Sequence, residues 1–129
     1  MPRTEVAFYR DDDGTVPVQE WLIELLDRDE KAFAQCVAVI RRLRETGYEL
    51  RRPQADFLRD GIYELRAKRG RVNYRILYFF HGRNVALLTH AFTKEGKVPE
   101  IDIERALKRK ERYEANPTAH TAEENLGLG

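Results

Sequence analysis

The sequence predicts an α+β domain, a small and mostly antiparallel sheet flanked by helices. Three observations carry that expectation. Two consecutive amphipathic helical patterns come early, a run of three strand-like segments with short turns follows, and one last helical pattern closes the order β-α-α-β-β-β-α. A chain of 129 residues is one domain of ordinary size. Its 42% apolar content is enough for a core, and its 35% charged content dresses the surface heavily.

Residues 5–10 (EVAFYR) alternate weakly and read as the first strand. RDDDGT is a turn broken by Asp-Gly, and its three aspartates lack the spacing of a calcium loop. In TVPVQEWLIELLDR, Thr15 is the expected N-cap and Pro17 belongs to the first turn. Val18, Trp21, Leu22, Leu25 and Leu26 then recur at helical spacing. Asp29 opens a second helix lined inwardly by Phe33, Cys36, Val37, Ile40 and Leu43; Arg41, Arg42 and Arg44 fall off that line, and Gly47 is the expected C-cap. Residues 48–60, with Pro53 and the pair Arg51–Arg52, are expected to be a loop. Residues 62–67 and 72–80 are strands around a basic turn centred on Gly70. Residues 81–84 form a second turn before the apolar strand VALLTHAF, and Pro99 starts a helix in which Ile103, Ala106 and Leu107 share a side. The domain is expected to span residues 1–113, with 114–129 a flexible tail that shows no period.

Several function classes drop out on composition. No apolar run approaches the ~20 residues of a membrane span, and the N-terminus lacks a signal-peptide core, so a cytoplasmic setting is expected. The single cysteine, Cys36, cannot form an internal disulfide and sits on an apolar helical face. His81, His90 and His120 form no metal-ligand pair, and neither a P-loop nor a nucleophile elbow is present, so no metal and no cofactor are expected.

The net charge of +1 conceals an asymmetry. Residues 1–40 hold four Lys/Arg against nine Asp/Glu, residues 41–112 hold nineteen against ten, and residues 113–129 hold three Glu and no Lys or Arg. A basic block inside a neutral total points to a localised surface for a polyanion. The block is densest in GIYELRAKRGRVNYRILYFF, which carries Arg66, Lys68, Arg69, Arg71 and Arg75. Arg66 and Arg75 sit within strand patterns, where a permanently charged donor fork suits a phosphate; the competing reading is a solvated sheet face. Tyr74, Tyr78, Phe79 and Phe80 read chiefly as core, with base stacking by one of them open. His90 is either a hydrogen-bonded structural histidine or a proton donor near neutral pH.

The ordered set GIYELR, YRILYF, ALLTHAFTKEGKVP and IDIERALKRKERY resembles the RelE/ParE toxin superfamily, and within it the HigB-like, phage-related branch. The resemblance spans most of residues 5–113. It implies a RelE-like fold and a metal-independent endoribonuclease that cleaves mRNA, acting on translating ribosomes. It also implies a cognate antitoxin, with a helix-turn-helix domain, as partner. By the same resemblance Arg66, Arg75 and Lys94 match basic catalytic positions; for acid–base roles the residues themselves offer Lys94, His90 and Tyr74. Arg51, Arg52, Lys68, Arg69, Arg71 and Lys97 are the expected RNA contacts. Lys94 is followed by Glu95 where the branch often has a second lysine. The C-terminal catalytic tyrosine of RelE has no clean counterpart, Tyr113 reading rather as a helix-packing residue. The alternatives are a ParE-like toxin directed at a topoisomerase and a non-toxic basic nucleic-acid-binding protein.

Overall fold

A computed structural model describes residues 4–123. The first strand, β1 (Glu5–Tyr9), leads to α1 (Pro17–Arg28) and α2 (Glu30–Thr46). A single 3₁₀ turn at Gly47–Glu49 follows. Four strands then run as β2 (Ala55–Arg59), β3 (Ile62–Arg69), β4 (Val72–His81) and β5 (Val85–Thr93). Helix α3 (Glu100–Ala115) and a short β6 (Thr121–Glu123) follow. The six strands form one sheet in the order β2-β3-β4-β5-β1-β6. Among the described residues, only the β1–β5 pair is parallel. The α+β expectation holds.

Local chemistry explains the helix ends. Pro17 opens α1 at a position whose N–H needs no partner. Val16, not Thr15, is the N-cap, and its backbone N–H donates to the Glu20 carboxylate at 3.1 Å. Asp29 caps α2 by accepting from the Ala32 N–H. Gly47 ends α2 at φ 67°, a conformation that favours glycine.

The strand period sorts the core into two layers. Tyr74, Ile76 and Tyr78 of β4 lie with Leu65, Phe8 and Leu88 under α1 and α2. Leu77 and Phe79, one residue out of phase, lie with Ile62, Leu87 and Tyr9 under α3. The inward line of α2 is as read, with Cys36 fully buried and its thiol pushed up to about 12 by burial. Leu26, expected inside, is 43% exposed, because α1 rests on Val18, Leu22 and Leu25.

Two strands lie where none was expected. Residues 48–60 hold β2, joined to β3 by Asp60-Gly61 with φ of 51° and 84°. Two positive φ values in a two-residue loop match the primed hairpin turn that Asp-Gly favours. The expected mobile tail also carries structure as far as residue 123. β6 pairs antiparallel with β1, the Arg10 guanidinium donates to the Thr118 and Ala119 carbonyls, and His120 stacks on Tyr9 at 5.4 Å. Residues 124–129 of that tail lie outside the described residues.

Gly47 offers a direct test of the α2 terminus. A Cβ there would meet the buried Thr4 hydroxyl while forcing a side chain into positive φ. Gly47→Ala is expected to cost about 1–3 kcal/mol in urea unfolding. An unchanged midpoint would show that the turn relaxes freely.

Candidate nucleic-acid interface

The antiparallel register of β3 and β4 sets Arg66 directly opposite Arg75. Two cations facing each other across a strand pair repel. Glu64, two residues from Arg66 on the same face, lies diagonal to Arg75 and answers both. Its carboxylate is fully buried. One oxygen accepts from the Arg66 Nε and the other accepts from Arg75 Nη1 at 2.9 Å. Arg66 also approaches Asp56 of β2 at 3.5 Å, and Asp56 pairs with Arg52 at 2.9 Å. The two arginines hold the Asp56 carboxyl below the usual range, the hydrogen bond from Arg52 being the larger cause.

Arg75 is only 8% exposed. Besides Glu64, its Nε donates to the Lys94 carbonyl at 3.1 Å and its Nη2 to the Gly96 carbonyl at 2.5 Å. The guanidinium thus ties the loop after β5 to the sheet. Its geometry is that of a positioning residue rather than a free phosphate fork. Arg66 is the more open of the two, its side chain 37% exposed.

The expected site residues do not all converge. Lys94 and Lys97 are exposed on the loop that Arg75 holds. Asn73 O accepts from the Lys94 N–H, so that loop lies beside the β3–β4 turn carrying Lys68, Arg69 and Arg71. Arg52 joins the same end of the sheet through Asp56. Arg51 instead turns back on its own segment and donates to the Tyr48 and Leu50 carbonyls. Tyr74 departs from the expected set. It neighbours Arg75 in sequence, so the strand period puts it on the opposite face, beneath α1 and edge-on to Trp21. Burial raises its hydroxyl pKa further.

His90 shares the face of Arg75 but is enclosed by α3. It is 6% exposed, with Nδ1 against the Thr89 hydroxyl and Nε2 3.2 Å from Asp102. Burial, helped by the Arg109 charge, lowers its pKa to about 4 despite Asp102. The imidazole is neutral at pH 7 and acts as a strand-to-helix tie. Tyr113 packs on Phe79 and His81, as its helix position suggested. Among the described residues, no group of three or more His, Cys, Asp or Glu is placed to hold a metal ion. Among the same residues, no helix is long and apolar enough to cross a membrane.

Two residues of interest went unread in the sequence. Glu64 is one; its signal was a lone carboxylate at alternate spacing between Ile62 and Arg66. Arg42 is the other. With Arg66 and Lys68 it lines a cleft of about 480 Å³ between α2 and the β3–β4 hairpin. Its signal was the helical stripe Gln35, Ala38, Val39, Arg42 on the outer side of α2.

A sheet that gathers cations at one end around a buried acid, with two helices on one face and one on the other, is the setting in which the family comparison falls. Residues 23–111 match the family model of the phage-derived Gp49-like proteins (DUF891), and the chain belongs to that family, one of RelE/ParE-like toxins of type II toxin–antitoxin systems. The match agrees with the expected superfamily and with its phage-related character, and it is to Gp49-like proteins rather than to HigB specifically. No curated protein matches the chain. The matched span contains Glu64, Arg66, Arg75 and the whole cleft, and leaves β1 and β6 outside.

The buried network has a measurable cost of disruption. Glu64→Gln leaves Arg75 enclosed with no countercharge, and breaking such a pair typically costs about 3–5 kcal/mol. A loss of under ~1 kcal/mol in denaturant unfolding would contradict the charge assignment of the network.

His90 gives a pH test with a defined sign. Its folded pKa lies below its unfolded value, so the unfolded chain binds the proton first as pH falls. The contribution is complete above about pH 6.5 and is lost progressively toward pH 4, at up to ~1.4 kcal/mol per pH unit. His90→Gln should flatten stability across that window; an equally steep profile in the variant would remove His90 as its source.

Proposed function

We propose that this protein is the toxin of a type II pair and cleaves mRNA without a metal, on translating ribosomes. The observation that supports the reading most is the cation-rich end of the sheet, fixed around buried Glu64, in a member of a toxin family. Cleavage by the RNA's own 2′-OH needs that hydroxyl aligned and the crowded phosphate stabilised. Fixed guanidiniums and ammoniums supply the second requirement. Arg66 and Lys94 are the phosphate contacts in this reading, Arg66 held by Glu64 and Asp56 and the Lys94 loop by Arg75. Lys68, Arg69, Arg71, Arg52 and Lys97 extend the grip along the strand. Tyr74 and His90 take no part in proton transfer, the first being on the far face and the second enclosed and neutral. Alignment of the 2′-OH falls to the ribosome-held substrate. The cognate antitoxin, a helix-turn-helix protein in this reading, masks the basic end with an acidic or apolar segment.

Expression without the antitoxin tests this directly. Growth arrest with loss of intact mRNA is expected. Arg66→Ala should relieve arrest and slow single-turnover cleavage by ~10²–10³, the usual loss for one preorganised donor. Alanine at Lys68, Arg69 or Arg71 should instead lower the salt slope of binding by about one unit and leave the chemical step nearly intact. Normal growth with soluble protein would overturn the toxin reading. Arrest with DNA damage and intact mRNA would transfer it to a topoisomerase-directed toxin.

A further inference from the structure

The cleft beneath α2 has the chemistry of a ligand site. It encloses about 480 Å³, and none of the residues lining it is acidic. Arg42 and Lys68 stand at its rim, and neither joins an ion pair among the described residues. The floor is apolar, with Val39 and Ala67, and Ala38 stands on the wall. Gln35 on α2 and Gln54 before β2 bring side-chain amides to that floor, while Asn73 of β4 borders it at the strand edge. Each amide offers donors and an acceptor together. The volume falls within the range of small-molecule sites.

The opening has a structural cause. β2 pairs with β3 only as far as Ala55 opposite Leu65, and Gln54 O accepts from the Arg66 N–H. Beyond that point, among the described residues, no outer strand pairs with β3, and residues 67–69 form a bare edge beside α2. Helix α2 places Gln35, Ala38, Val39 and Arg42 on one stripe at helical spacing. A groove with cations at the rim, an apolar floor and paired donor–acceptor groups has the features of a seat for a nucleotide. The cations suit its phosphate, the floor its base plane and the amides its Watson–Crick edge.

We infer that this cleft holds one unstacked nucleotide of a single-stranded RNA, adjacent to the nucleotide whose phosphate lies at Arg66, and reads its base. The inference rests on the RNA reading above and adds to it a specificity subsite on the opposite side of β3 from Glu64. Arg66 lines the cleft while its guanidinium is held by Glu64 and Asp56, so a strand passing over the β3 edge would meet both.

The test uses the full chain and a fluorescent 2′-O-methyl oligoribonucleotide of roughly eight nucleotides, which cannot be cleaved, read by anisotropy at fixed salt. Ala38 is exposed on the groove wall, so Ala38→Trp fills the cleft without removing a charge. Ala38→Trp and Arg42→Glu should each weaken binding by about tenfold or more, the size of one lost charge-assisted contact. Gln54→Leu should compress the spread of affinities among A, C, G and U oligomers while leaving their mean nearly unchanged. Unfolding midpoints confirm that each variant folds. Wild-type affinity in both Ala38→Trp and Arg42→Glu overturns the subsite. So does an acidic peptide that binds the wild type and is lost in Ala38→Trp while oligomer binding stays intact, since the cleft then belongs to a protein partner. The two readings fail separately. Tight, cleft-dependent binding with no cleavage of ribosomal mRNA removes the nuclease and keeps the subsite. Unchanged cleavage and codon preference in Ala38→Trp removes the subsite and keeps the nuclease.

Discussion

The arrangement of the cationic end depends on one buried carboxylate. Arg66 and Arg75 face each other on paired strands, a placement that would be repulsive on its own. Glu64 turns it into a three-membered network with both oxygens occupied. Once Arg75 is anchored, its remaining donors take the Lys94 and Gly96 carbonyls and fix the path of the loop into α3. Lys94 and Lys97 therefore owe their location to a charge they do not touch. A buried ion pair is weak evidence for net stability, because desolvation offsets its attraction. Its effect here is geometric: it holds cations that would otherwise disperse.

The strand period decides which side chains can cooperate. Tyr74 and Arg75 are neighbours in sequence and strangers in space, one under α1 and the other over Glu64. His90 passes the test of face and fails on access, since α3 brings Asp102 and Arg109 against it. With those two withdrawn, the site retains cations and, of the three acid–base candidates, exposed Lys94 alone. Such a site can stabilise charge on phosphate, and it needs its substrate aligned by something else. That demand is why the proposed function has the ribosome hold the substrate.

The layered fold was legible because its periods are strong. The α2 line of Cys36, Val37, Ile40 and Leu43 and the alternation of β4 both survive intact. β2 went unread although its Asp60-Gly61 turn was in plain view, because Pro53 and a run of charges obscured a five-residue edge strand. β6 had no pattern to read; three residues pair with β1 only because Arg10 and Tyr9 hold the returning chain. The site was half legible. Charge density marked the correct end of the sheet, while the pairing that converts Arg75 from ligand to anchor is set by strand register, which composition does not carry. Arg42 was set aside as merely off the core line of α2, yet the outer stripe of a helix is where a groove finds its wall.

β3 is the element on which both faces converge. It is flanked by β2 for its first half and bare for its second. Along the paired half, Glu64 is enclosed and can bind two guanidiniums without solvent competition. Along the bare half, Ala67 faces α2 and Lys68 borders the cleft at the strand edge. Arg66 stands at the change from one regime to the other, its side chain tied to Glu64 and Asp56 and its backbone N–H to Gln54 O. A longer β2 would seal the edge and close the cleft; a shorter one would remove Asp56 and loosen Arg66. The length of this single edge strand thus sets both how firmly the central cation is held and how much of β3 remains open beside it.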